Sequence, residues 1–174
     1  SPTGDKIAID RIDRWDVEWR NYKGGQNTPL IILNLKDFSE TLLPNERSTD
    51  IQPLWLGESI YFLSDRDGVA NIWSYNPATA ALKQFTKFTG ADTKWLAGYG
   101  NKLAFEREGY LHLLDLTTNA TTQLNITING DFPWANTKWE DVSKGARAVS
   151  LSSTGKRAIM ESRGEIFTIP VEHG

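Results

Sequence analysis

The sequence predicts an all-β chain made of about four repeats of a four-stranded antiparallel unit. Three observations carry this expectation. A glycine turn followed by an apolar strand recurs at Ser1-Pro2-Thr3-Gly4, Leu56-Gly57-Glu58, Ala97-Gly98-Tyr99-Gly100 and Ser152-Ser153-Thr154-Gly155. The strands that begin at Leu30, Ile72, Leu111 and Ile166 stand 42, 39 and 55 residues apart. Composition agrees: seven Trp and seven Phe are many for 174 residues, and aromatic side chains favour strands. Strand-only periods near forty residues are the signature of β-propeller blades.

In chain order, the repeats are expected at residues 1–48, 49–91, 92–145 and 146–174, with residues 126–144 inserted in the third. The first repeat opens with Ile7-Ala8-Ile9 and then enlarges its connection from Ile12 to Asn27. Inside that connection Trp15, Val17 and Trp19 alternate with Asp16 and Glu18, which reads as a strand with one apolar face. The second repeat reads Ile51 to Trp55, Ser59 to Ser64, a turn at Asp65-Arg66-Asp67-Gly68, Asn71 to Tyr75, and Lys83 to Thr86. Asp67-Gly68 is a hairpin signal because glycine tolerates the positive φ of a tight turn. The third repeats the plan with Lys102 to Glu106, Leu111 to Leu116 and Thr121 to Asn125. Matching corners, Asn76-Pro77-Ala78-Thr79 and Asp115-Leu116-Thr117-Thr118-Asn119, separate the third and fourth strands. In the fourth repeat Ala158-Ile159-Met160 and the strand from Ile166 complete the pattern. The outer repeats are each one strand short, so the expected architecture is an incomplete propeller, an arc of a larger ring. The start at Ser1 suggests a processed or trimmed chain.

A net charge of −3 argues against a nucleic-acid surface. No stretch approaches the twenty apolar residues of a helical membrane span. With no cysteine there are no disulfides and no thiolate metal sites. His112 lies in an alternating strand and His173 next to the last residue, and neither is expected to serve as a catalytic base. Ser153 and Lys156 match a Ser-x-x-Lys spacing but occupy the repeated glycine turn, and Thr154-Gly155-Lys156 precedes a strand where a phosphate loop needs a helix. Asp65, Asp67 and Asn71 read as a charged hairpin turn, because the later Glu of a calcium loop is missing. Asn119-Ala120-Thr121 and Asn125-Ile126-Thr127 match glycosylation sequons that matter only in a secreted eukaryotic context. The expectation is therefore no catalytic residue, no metal and no cofactor in this chain. What remains is a contact surface: Trp15, Trp19, Tyr22 and Lys23 in the first enlarged connection, and Phe132, Trp134 and Trp139 in the insertion. The three insertion aromatics alternatively cap the groove between two repeats.

Several segments together are similar to one family. Trp19-Arg20-Asn21-Tyr22-Lys23-Gly24-Gly25 resembles an element in the N-terminal propeller of Tricorn-type serine proteases, and Ile60 to Gly68 resembles the strand and turn of the next blade. Gly130-Asp131-Phe132-Pro133-Trp134, Asp141-Val142-Ser143-Lys144 and Arg163-Gly164-Glu165-Ile166-Phe167 fit bacterial members of that group. The resemblance covers essentially the whole chain, although TolB-like and amidohydrolase-linked propellers share the single motifs. It implies a large serine peptidase whose propellers filter or channel peptides to a catalytic domain outside this chain. Peptides or that catalytic domain would be the partners, and homo-oligomers are left open. So is the compartment, cytoplasmic or bacterial periplasmic. The alternatives are a TolB-like interaction propeller and a propeller appended to an amidohydrolase.

Overall fold

The computed structural model describes residues 1–11, 24, 27 and 29–172. The expected alternating strand around Trp15, Val17 and Trp19 lies outside the described residues. The described chain is all-β and propeller-like, with four antiparallel sheets of three or four strands in which each strand pairs with its neighbour in sequence. It divides into two compact units, Ser1–Ile126 and Thr127–Gly174.

The first unit holds three sheets. They are β1 (Lys6–Ile9), β2 (Ile31–Asn34) and β3 (Glu40–Leu42); then β4 (Asp50–Leu56), β5 (Ser59–Ser64), β6 (Asn71–Asn76) and β7 (Ala81–Gln84); then β8 (Lys94–Tyr99), β9 (Lys102–Arg107), β10 (Tyr110–Asp115) and β11 (Ala120–Gln123). The period-two pattern of β5 sends its side chains into two cores. Ile60 and Phe62 join Leu30, Ile32, Leu43 and Tyr75 between the first two sheets. Leu63 joins Ile51, Ile72, Leu103, Phe105 and Leu114 between the second and third, with Tyr61 packed against them. The middle sheet is thus apolar on both faces, as a blade between two blades must be.

β7 begins at Ala81 and β11 at Ala120, earlier than the expected Lys83 and Thr121. The reason is a corner used three times. Asn34, Asn76 and Asp115 accept backbone N–H groups two residues on with their side-chain oxygens. Phe38, Ala80 and Asn119 then close the corner in the left-handed region at φ 57°, 56° and 58°. β7 and β11 start directly after that residue, and β3 starts one residue later.

A second repeated device sits in the first strand of three sheets. β4, β8 and, in the second unit, β12 each carry a bulge with a left-handed residue, Gln52 (φ 53°), Trp95 (φ 55°) and Ala148 (φ 47°). A left-handed L-residue costs roughly 1–2 kcal/mol, so the bulge must be held. In the first unit the hold crosses sheets: the Gln52 N–H donates to Asp10 Oδ2 at 2.8 Å, and Gln52 Oε1 accepts the Leu96 N–H at 2.9 Å.

The second unit contains one sheet, β12 (Ala146–Leu151), β13 (Arg157–Ser162) and β14 (Glu165–Pro170). The pairings Met160↔Phe167 and Ala158↔Ile169 set four apolar side chains on one face. Among the described residues of this unit only Ser162 is buried, and Leu151, Ile166, Phe167 and Ile169 are exposed.

Candidate contact surface

The insertion opens the second unit. Phe132 takes a left-handed backbone (φ 38°, ψ 58°) just before a single 3-10 turn, Pro133–Ala135. Pro133 suits that first position because its missing N–H would have had no partner there. The Ala135 N–H closes the turn on the Phe132 carbonyl at 2.8 Å. This geometry brings the Phe132 and Trp134 rings edge to face, 5.6 Å apart at 79°. Gly130 lies under the Phe132 ring; a Cβ there would stand 3.2 Å from Cζ.

Trp139 stands apart from that pair, fully exposed, with Trp134 78% exposed and Ile128 76%. Its neighbour Glu140 is paired twice, to Lys138 Nζ at 2.5 Å and to Arg163 Nη1 at 3.2 Å. The second pair ties the insertion to the β13–β14 turn. The hydrogen bond from Lys138, then the Lys138 and Arg163 charges, hold the Glu140 carboxyl below its usual value. The Ser143 N–H and hydroxyl do the same for Asp141. The structure thus brings Phe132 and Trp134 together and holds Trp139 beside a paired carboxylate. Trp15, Trp19, Tyr22 and Lys23 lie outside the described residues.

Several of the polar groups weighed for chemistry have structural partners, and His173 lies outside the described residues. The His112 ring stacks on Phe105 at 5.2 Å and 11°, against the second core. Ser152 caps the repeated glycine turn, its carbonyl accepting the Gly155 N–H and its hydroxyl the Arg157 N–H. Asp65 accepts the Thr49 N–H at 2.8 Å. Asn71 is buried, and its Oδ1 accepts the Phe88 N–H and the Thr86 hydroxyl. Among the described residues no three His, Asp or Glu side chains lie close enough to hold a metal ion.

Sequence reasoning missed one buried charge cluster. Arg66 donates to Asp50 Oδ2 at 2.9 Å and to Ser64 Oγ at 2.9 Å, and lies over the rings of Trp73 and Phe62 at 4.9 and 5.4 Å. Arg107 repeats the ring contact alone, over Phe88 at 4.7 Å, and pairs with the exposed Glu108 at 3.0 Å. Arg66-Asp67-Gly68 and Arg107-Glu108-Gly109 share an Arg-acid-Gly spacing that could have signalled it.

Comparison with known proteins adds the following. The profile of the Tricorn protease N-terminal beta propeller domain matches residues 1–120. A Tricorn protease homolog of Saccharolobus solfataricus is 27% identical over 168 residues, 94% of this chain and 15% of that protein. The crystal structure of the tricorn protease superposes with a TM-score of 0.61 at 23% identity, over 88% of this chain and 15% of that one. TolB from Acinetobacter baumannii gives a TM-score of 0.55 at 17% identity, over 100% of this chain and 42% of that one. The chain therefore spans only a small part of the length of the Tricorn relatives it matches.

Proposed function

Because the chain belongs to the Tricorn protease N-terminal β-propeller family, we propose that it is a non-catalytic propeller segment of a larger Tricorn-like serine peptidase. Its role is to position or gate peptides, or subunits, for a catalytic domain outside this chain. The observation that carries this reading is the relationship along 94% of the chain to a Tricorn protease homolog. His112, the one histidine among the described residues, supports it: its ring stacks on Phe105, a packing role rather than that of a base. The working surface is the insertion, with Phe132, Trp134 and Trp139 as aromatic contacts. Trp15, Trp19, Tyr22 and Lys23 form a second one. Exposed tryptophans are the side chains that most often dominate binding at interfaces.

The test uses the purified chain with a set of fluorescent peptides, followed by both binding and cleavage. The reading expects no cleavage, and weaker binding in Trp134→Ala and Trp139→Ala with the thermal transition unchanged. Hydrolysis by this chain, abolished by replacing one of its serines, would refute it. A second reading, a TolB-like interaction propeller, is favoured by the fold match along the whole chain. It expects capture of a folded protein partner and no peptide binding.

A further inference from the structure

We propose that Asn129 is a site of spontaneous covalent modification, at which the side-chain amide is lost through a succinimide to give aspartate and isoaspartate. The reaction is internal. The Gly130 backbone nitrogen attacks Asn129 Cγ, the Cγ–Nδ2 bond breaks, ammonia leaves, and a five-membered imide remains. Water then opens the imide at either carbonyl, so the only co-reactant is solvent. Asparagine is a thermolabile residue for this reason. The following residue governs the rate: glycine, without a Cβ, offers the least obstruction and the widest range of backbone angles.

The fold decides where this chemistry can run. Asn129 and Gly130 are exposed in the insertion, outside any strand or turn. Among the described residues, no group engages the Asn129 side chain or the Gly130 amide. The Phe132 ring lies on the side of Gly130 where a Cβ would project. Asp67-Gly68 is a built-in control, since it can form the same imide by losing water. There the Gly68 N–H is bound to the Asp65 carbonyl at 2.8 Å, and the Asp67 carboxylate is held by Gln84 and Asn71. One motif is free to react and the other is locked in a hairpin.

Conversion adds a negative charge beside Asp131. The isoaspartate form also lengthens the main chain three residues before the Phe132–Trp134 pair begins. The contact surface therefore changes with the age of the molecule, without any enzyme.

The full chain is incubated at mildly alkaline pH, with and without denaturant, and sampled over time by peptide mapping that separates Asp from isoAsp. In the folded protein the Asn129 peptide is expected to convert ahead of every other asparagine peptide, with ammonia released and the Asp67 peptide unchanged. Denaturant should leave the Asn129 rate nearly as it was and start isomerisation at Asp67. Asn129→Gln should remain unconverted, because its imide ring is larger by one carbon. Gly130→Ala should convert more slowly. An intact Asn129 while other asparagines react would overturn the proposal. So would strong acceleration at Asn129 on unfolding, which would mean the fold protects it.

Discussion

Asp50 has a side chain with no exposed surface and accepts from Arg66, Ser48 and the Asn45 amide. Removing one partner of such a pair strands the other charge in a dry place. Asp50→Ala is therefore expected to destabilise the first unit by about 3 kcal/mol, read by urea denaturation. A loss under about 1 kcal/mol would mean that Arg66, near the surface, finds water instead. Gly98 makes a different demand. A Cβ there would stand 2.6 to 2.9 Å from methyl groups of Leu103, Leu54 and Leu56. Gly98→Ala should cost about 1–3 kcal/mol by overpacking the seam between the second and third sheets, where β8 faces β4. Glu140 gives a pH prediction. Its pKa is depressed in the folded state, so its contribution is present above the ordinary glutamate value and lost as pH falls through the lower folded one. Trp fluorescence of the insertion is expected to stay flat through neutral pH and change only below the usual glutamate range. In Glu140→Gln that step should be absent.

Elements show what was legible in the sequence and what was not. The glycine turns and the Asn or Asp corners were readable because each needs a residue type that few others replace: glycine for positive φ, a short side-chain acceptor for the corner. The two-faced β5 was readable from an unbroken apolar run. The bulges were not read, although Pro53 stands immediately after left-handed Gln52, and a proline inside a strand is tolerated at an edge or a bulge. Their cross-sheet hydrogen bonds join residues more than forty positions apart, which no local pattern encodes. Gln52→Ala removes the acceptor for the Leu96 N–H and should cost about 1 kcal/mol. Hydrogen exchange should quicken at the Leu96 amide more than at the β9–β10 ladder. Equal change at both would make Gln52 a general packing residue. The insertion was legible as a place, from its length and aromatics. Its link through Glu140 to Arg163 was not, since it depends on where β13 turns.

At the scale of the molecule, repeat spacing and aromatic content were enough to reach the propeller-like architecture, because each sheet must bury two faces and the period records that need. Apolar surface is left over in the second unit, where Leu151, Ile166, Phe167 and Ile169 are exposed. The chain by itself is expected to associate through such faces and through open strand edges. Sedimentation velocity should show mass rising with concentration, and a monomer at all concentrations would count against an arc of a larger ring. A non-catalytic segment of a serine peptidase is a statement about the native polypeptide. Its most direct test labels source cells with a fluorophosphonate serine-hydrolase probe and recovers the protein with antibodies to this chain. A propeller segment of such a peptidase should be recovered as a labelled polypeptide several times heavier than 19.6 kDa. A native protein of about this mass, or a large one that never takes the label, would contradict it.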